Sequence, residues 1–330
     1  MIATDVLLKA YRLMCTAKAM AETYESNRPI CKYVHSTSRG HEAIQLATAF
    51  QLLPCDYVSP YYRDESMLLG LGFTPYEMML QLLAKGNDIF TGGREYYSHP
   101  NYRGHDKPNI IHQSSATGMQ AIPTTGVAQG IKYKEQTTDD RQQATEESVS
   151  GLSSVVRCPV VICSLGDASV TEGEVSEAFQ FAALHQLPII YLVQDNNWGI
   201  SVTSDEARTT NASEMVKGLK GIRRISIDGS DFFQSYEVMK NVVDEVRKER
   251  HPFLVHAKVP LLGHHTSGVR KEFYRTEEDL AKHFVDDPNP KLRKRLLELE
   301  ITEETLLQIE REAAEQVAKD FLGATRSAGT

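Results

Sequence analysis

Residues 160–201 read VVICSLGDASVTEGEVSEAFQFAALHQLPIIYLVQDNNWGIS, and their patterning decides the class of fold. Val160 to Leu165 is a short, β-branched apolar run of the kind that forms a strand buried on both faces of a parallel sheet. Gly166-Asp167 breaks it. Val175, Ala178, Phe179 and Ala182 then recur at helical spacing until Pro188, which cannot continue a helix. Ile189 to Val193 is a second apolar run, closed by Gln194-Asp195-Asn196-Asn197. A strand–helix–strand unit with parallel strands brings both polar clusters to one carboxyl edge, where open α/β sheets take their ligands. An Asp carboxylate and an Asn carbonyl converging there offer two hard oxygen ligands. Mg²⁺ suits such a pair, because it takes one or two protein carboxylates and completes its shell with phosphate oxygens. A Rossmann-like unit with ordinary polar strand ends is the competing reading.

Gly166-Asp167, followed thirty positions on by Asn196, resembles the motif with which thiamine diphosphate enzymes hold Mg²⁺ and the cofactor's diphosphate. Ala168 stands where that family usually has Gly. The resemblance implies a parallel-sheet thiamine diphosphate-binding α/β fold flanked by helices, with helical extensions at both termini. It assigns Asp167, Asn196 and the backbone carbonyl of Trp198 to the metal. Ala168, Ser169, Glu172 and Gln194 fall beside the cofactor, and Gln194 replaces a frequent Arg.

The chain has 330 residues with 44 acidic and 36 basic side chains, a net charge of −8. That length can bury a large core, and no apolar run is long enough to span a bilayer. The negative balance argues against nucleic acid or an anionic membrane as the main partner. The five cysteines have no metal-ligand spacing; Cys163 lies in an apolar strand and Cys15 in an apolar helix, as small core residues do. Their odd number, with no basic leader or Arg-rich transit pattern at Met1 to Asp5, leads us to expect a reducing cytoplasm.

Along the chain, Thr4 or Asp5 caps a first helix, and further helices are expected from Gly40, over Met67 to Leu71 and over Pro75 to Ala84. Residues 86–113 form a long loop without a period, which in a compact protein points to function or disorder. Pro123 to Tyr133 reads as a small-residue helix, and 134–154 as an exposed, flexible insertion. Arg224 to Asp228 and Phe253 to Val259 are two more strands around a helix from Phe232 to Arg250. Residues 261–275 are a polar loop. Asn289 to Phe321 makes two amphipathic helices, the second capped by Thr302. No internal repeat or linker divides the chain, so one domain is expected.

Three further segments resemble, in order, the α subunit of the 2-oxo acid dehydrogenase E1 component. Gly40-His41-Glu42-Ala43 is similar to the family's Gly-Gln-Glu-Ala, with His41 for Gln. Tyr62-Arg63 resembles the pair that binds the diphosphate; a phenol adds one donor and a guanidinium a permanently charged fork. Ser114-Ser115-Ala116-Thr117 resembles the segment near the aminopyrimidine and, in some members, a K⁺ ion. There Ser115 and Thr117 would face the cofactor, with Thr117 replacing an apolar residue. Helix capping is the bland alternative. Gly263-His264-His265-Thr266-Ser267 resembles the loop whose second His, here His265, reaches the diphosphate and the reacting carbon. Val269 and Arg270 replace acidic residues of that loop. A metal site at the His pair would need a Cys, Asp or third His at ligand spacing, and none is there. Thr266 falls where mitochondrial members carry a regulatory phosphoserine.

The resemblance implies an E1 α-type chain that binds Mg²⁺ and thiamine diphosphate, decarboxylates pyruvate or a branched-chain 2-oxo acid, and passes the acyl group to the lipoyl domain of an E2 acyltransferase. His265 would be its catalytic residue. The family's glutamate for the aminopyrimidine comes from a β subunit or fused β half, so an α₂β₂ or fused dimeric assembly with a composite site is expected. Glu42 is the local alternative to that glutamate. An acetoin dehydrogenase α subunit and a non-catalytic assembly module remain open as other readings. A plain dinucleotide-binding protein lacks support, because no G-x-G-x-x-G follows an early strand.

Overall fold

The structure is a computed structural model that describes residues 2–111, 116–142 and 159–328. Elements α1 (Thr4–Ser26), α2 (Glu42–Ala49), β1 (Tyr57–Ser59), α3 (Glu65–Gly70), α4 (Pro75–Leu82), β2 (Asn109–Ile110) and α5 (Ala121–Gln142) lead into the central unit. That unit is β3 (Val161–Gly166), α6 (Gly173–His185) and β4 (Ile189–Asp195), followed by a hairpin of β5 (Trp198–Gly199) and β6 (Val202–Thr203). Two single-turn helices follow, α7 (Ser204–Ala207) and α8 (Ala212–Met215). Then come β7 (Arg223–Asp228), α9 (Phe232–Glu249), β8 (Phe253–Lys258), α10 (Glu277–Val285), α11 (Pro288–Glu298) and α12 (Glu303–Arg326).

Six strands form one parallel sheet in the order β2-β1-β3-β4-β8-β7. In β3, β4 and β8 the alternating side chains are buried on both faces, which is why these strands read as largely apolar runs, whereas the edge strand β7 is mostly exposed or half-buried. Val161, Cys163 and Leu165 join Tyr191 and Val193 beneath α5 and α6. Ile162, Ile190, Leu192 and Val255 face the opposite way, toward Met239 and Val243 of α9 and the α3–α4 pair. A third cluster packs α1 and α2 on α11 and α12. After β1 the chain leaves toward β2 on one side; after β3 it leaves toward β4 on the other. The crevice between the carboxyl ends of β1 and β3 is therefore the topological switch point, where such sheets bind ligands.

Several sequence expectations shift at the element ends. Thr302 caps α12, accepting from Thr305 N, but α1 starts at Thr4 behind Ala3 with no side-chain cap. The helix expected at Gly40 begins at Glu42, because Gly40 adopts φ +100° and a Cβ there would lie 1.9 Å from the Pro260 carbonyl oxygen. The third helix starts at Glu65, two residues before its apolar run. Residues 134–142 are helical, continuing α5 where polar composition predicts an irregular insertion; residues 143–154 lie outside the described residues. Cys15 and Cys163 are buried free thiols. No helix among the described residues is long and apolar enough to cross a membrane.

At the amino edge of the sheet, Asp56 is fully buried between β1, β3 and α9. Arg247 donates to both its oxygens (2.8 and 2.7 Å), and Val160 N and Leu53 N donate as well. Removing one partner of such a buried pair is strongly destabilising, and here it also strips the Val160 and Leu53 N–H groups of their acceptor. Asp56→Ala is expected to lower unfolding free energy by about 3–5 kcal/mol, measured by denaturant titration. A loss below about 1 kcal/mol, the value of an exposed pair, would contradict the assignment.

Candidate active site

A cavity of about 630 Å³ opens at the β1/β3 crevice. Much of its wall comes from loops at the strands' carboxyl ends. Tyr61 and Tyr62 follow β1, Asp167 to Ser169 and Glu172 follow β3, and Asn196 and Trp198 follow β4; His265 and Thr266 come from the loop after β8. Thr117 and Gln120 close one side, ahead of α5. Ser114 and Ser115 lie outside the described residues.

Asp167, Asn196 and Trp198, the three expected metal-binding positions, share this cavity. Asn197 at φ +67° turns the chain sharply between the last two, and Trp198 N donates to Asn196 Oδ1 at 3.0 Å. The Trp198 ring is fixed edge-on to Tyr274 (5.4 Å) under the Arg275 guanidinium (5.5 Å). Asp167 Oδ2 sits 2.7 Å from Arg208 Nη2 without hydrogen-bond alignment, and the same nitrogen donates to Asp195 Oδ1 at 3.0 Å. Burial and then the Asp195 carboxylate push Asp167 up. Burial acts the same way on Asp195, but the His256 hydrogen bond (2.9 Å) and Arg208 outweigh it and hold Asp195 below the usual carboxylate range. The pair thus favours a cation.

Ser169 lines the cavity and ties its hydroxyl back to the Gly166 carbonyl (2.6 Å). Ala168 lies against the hairpin, where a Cβ added at Gly199 would come within 3.0 Å of it. His265 stacks edge-on to Tyr62 at 5.9 Å, and burial, then the Arg63 charge, hold its pKa down to about 3. Its loop is clamped through the backbone: Ser36 Oγ donates to the His265 carbonyl at 2.6 Å, and Ser267 N to the His35 carbonyl at 2.7 Å.

Two expected cofactor residues stand behind the wall instead. Gln194 is fully buried and turned into the sheet, where His41, Gln45, Asp64 and Ser164 saturate its amide. Arg63 is 1% exposed and donates to the carbonyls of Thr37, His264 and His265. It therefore fixes the His265 loop and lends its charge from below. No carboxylate lies within ion-pair distance of Arg63 among the described residues, and its Nε has no partner. Glu42, the local alternative for the pyrimidine glutamate, is buried against Arg39 and Gly40 N, away from the cavity.

Other wall residues escaped sequence reasoning. Arg208 follows the turn of α7, whose start is fixed by Thr203 N and Oγ1 donating to Glu206 (2.8 Å each); the Thr203-x-x-Glu206 spacing was the available signal. Tyr97 and His99 come from the 86–113 loop. Tyr97 donates to Glu65, a fully buried carboxyl that burial pushes up to about 8 against that hydrogen bond. An unfolded Glu titrates near 4, so the raised value adds stability at low pH that is lost as pH rises toward about 8. Glu65→Gln should therefore gain on the parent by about 1.4 kcal/mol per pH unit at most, from roughly pH 4.5 to 8. Parallel melting curves that keep a constant gap across that range would exclude this linkage.

Residues 11–328 match the family described as Dehydrogenase E1 component. The chain is 29% identical over 282 residues to 2-oxoisovalerate dehydrogenase subunit alpha 2, mitochondrial, of Arabidopsis thaliana, covering 84% of this chain and 54% of that one. It is 27% identical over 252 residues to 2-oxoisovalerate dehydrogenase subunit alpha of Bacillus subtilis (strain 168), covering 76% and 69%. It is 27% identical over 263 residues to 3-methyl-2-oxobutanoate dehydrogenase subunit alpha of Mycobacterium tuberculosis (strain ATCC 25618 / H37Rv), covering 79% and 62%. The chain thus spans between about half and about two thirds of the length of these relatives. With the match running over nearly its whole length, the chain belongs to the dehydrogenase E1 component family.

Proposed function

We propose that this chain is the α-type part of an E1 component. It holds Mg²⁺ and thiamine diphosphate at the β1/β3 crevice and serves the oxidative decarboxylation of a branched-chain 2-oxo acid. The acyl group then passes to the lipoyl group of an E2 acyltransferase. The observation that carries this reading is the convergence of Asp167, Asn196, Trp198, Tyr62 and His265 on one cavity from four separate loops. The names of the similar proteins, 2-oxoisovalerate and 3-methyl-2-oxobutanoate dehydrogenase α subunits, favour the branched-chain class.

The residues fit the group. Gln120 Oε1, Trp198 Nε1 and His265 Nδ1 are buried polar atoms on this wall without a hydrogen-bond partner, and such atoms call for a ligand or water. Arg63 places an unpaired buried charge beneath the same wall, which an anionic diphosphate would compensate. Asp167, Asn196 Oδ1 and the Trp198 carbonyl would hold Mg²⁺; Tyr62, Ser169 and Glu172 would border the diphosphate, and the Ser115 to Thr117 segment the ring. A K⁺ ion at that segment belongs to the same reading. When bound, thiamine diphosphate supplies the electron sink for loss of CO₂. The chain's own residues place it and offer a neutral imidazole at His265 to a substrate oxygen.

Asp167 and Glu172 are the carboxylates that line the cavity among the described residues, and this reading assigns both to the Mg²⁺–diphosphate end. The reading therefore includes a β subunit, or fused β half, that completes the site in an α₂β₂ or fused dimeric assembly. The test is 2-oxo acid decarboxylation with an artificial electron acceptor, Mg²⁺ and thiamine diphosphate, with and without that β part. Activity in the mixture alone, highest on branched-chain acids, is expected. Full activity of this chain by itself, or preference for pyruvate or acetoin, would overturn the composite site or the substrate class respectively.

A further inference from the structure

Behind the proposed metal site runs a chain of buried amides and one imidazole in which each hydrogen bond fixes the next. Asp64 accepts from Tyr61 N at 3.0 Å and from Gln194 Nε2 at 2.7 Å; Gln194 Nε2 also donates to Ser164 Oγ at 2.9 Å. The amide of Gln194 can then point only one way, with Oε1 as its acceptor end. That oxygen takes Gln45 Nε2 (2.9 Å) and His41 Nδ1 (2.9 Å). Nδ1 must carry the hydrogen, shared with the Tyr61 hydroxyl at 3.2 Å, so Nε2 of a neutral imidazole is an acceptor. Asn196 Nδ2 lies 3.3 Å from that Nε2, and Trp198 N occupies one lone pair of Asn196 Oδ1 at 3.0 Å. His41 and Gln194 are fully buried, and neither lines the cavity.

We infer that His41 is a positioning residue: its Nε2 holds the Asn196 amide so that Oδ1, not the Nδ2 hydrogens, is presented to the divalent cation. The inference rests on the Mg²⁺–thiamine diphosphate reading above. Trp198 N favours the same orientation from the Oδ1 side, but without His41 the Nδ2 hydrogens lose their acceptor, and an amide that flips offers N–H donors to a cation, which repel rather than ligate. Partners that orient a ligand in this way typically account for 10–100-fold in metal affinity.

The residue types separate positioning from packing. A Gln side chain can place its amide oxygen where Nε2 stands, whereas Asn can reproduce only Nδ1. In the assembled complex with its β part, equilibrium thiamine diphosphate binding would be titrated with Mg²⁺ for the parent, His41→Gln, His41→Asn and His41→Ala. His41→Asn and His41→Ala are expected to raise the Mg²⁺ needed for half-maximal binding at least about tenfold. His41→Gln is expected to stay within about threefold, and excess Mg²⁺ should restore cofactor binding in all three. In an Asn196→Ala background, His41→Asn should shift the requirement no further, because nothing remains to orient. Equal shifts for Gln and Asn, or a His41→Asn shift that persists in full without the Asn196 side chain, would make the role one of packing and overturn the inference. If the parent complex itself binds thiamine diphosphate without any Mg²⁺ dependence, the metal-site reading fails, and the inference with it; a normal parent with unresponsive His41 variants overturns the inference alone.

Discussion

Asp167→Ala is expected to weaken Mg²⁺-dependent retention of thiamine diphosphate by the assembled protein by at least about a hundredfold, beyond what loss of an outer partner costs. The fold should survive, and the surroundings of the carboxylate say why. Asp167 is buried beside Asp195, and burial and that neighbour both push its pKa up. Arg208 stands against both carboxylates, and Asp195 is also held by His256 at 2.9 Å. Deleting Asp167 leaves Arg208 paired with Asp195 and removes a like-charge contact, so little stability should be lost. Melting temperature should move by no more than about 1.5 °C, which for a chain of this length corresponds to roughly 1 kcal/mol. The measurement pairs a Mg²⁺ titration of cofactor binding with a melting curve of the cofactor-free protein. An Asp167→Ala protein that keeps the parent's Mg²⁺ requirement would remove Asp167 from the metal site.

The contrast between Asp167 and Arg208 shows what patterning can and cannot reveal. β3, β4, β7 and β8 were legible because each is long enough for apolar, β-branched side chains to declare a strand. β1 has three residues and β2 two, too few to show any period, yet β1 fixes the switch point. Position on a strand end placed Asp167 and Asn196 at the carboxyl edge of the sheet, and resemblance to the E1 α subunit brought in Tyr62 and His265. Neither could tell the direction of a side chain, so Arg63 and Gln194 were expected in the cavity when they support it from behind. For Gln194 the reason is its own chemistry: an uncharged amide can be saturated inside by His41, Gln45, Asp64 and Ser164, where a guanidinium would need an anion. Gln120, Tyr97 and His99 come from a turn and an aperiodic loop, where only tertiary contacts define a position, and Arg208 carried no more than the capping spacing of Thr203 and Glu206 ahead of it. The helix from Lys134 to Gln142 was hidden by its polar composition. Glu135 there is held by Arg250 at 2.5 Å, a long-range ion pair that no local pattern displays.

His265→Ala should cost turnover about 10²–10⁴-fold, the usual range for a positioned proton-transfer or hydrogen-bonding group, with a much smaller change in thiamine diphosphate affinity. The loop that carries it is held by its main chain, through Ser36 Oγ and Arg63 Nη2 donating to the His265 carbonyl at 2.6 and 3.1 Å. Truncating the side chain leaves those bonds in place, so the effect reports on the ring. Burial and the Arg63 charge hold the ring's pKa down to about 3. It is thus neutral wherever the enzyme would work, one nitrogen a donor and the other an acceptor, and Nδ1 is without a partner inside the protein. A base depressed in the fold contributes stability present above its unfolded pKa near 6.5 and lost as pH falls toward 3. The rate, in contrast, should carry no inflection from His265 between about pH 5 and 8. Turnover measured over that range for the parent, His265→Ala and His265→Gln tests both statements. His265→Gln retains a neutral hydrogen-bonding group and should recover part of the loss. An alkaline limb near pH 6.5 in the parent, with rate falling as pH rises, that vanishes in both variants would mean that the imidazolium is the working form, and Arg63 would then have to pair with a bound anion before His265 could hold a proton beside it.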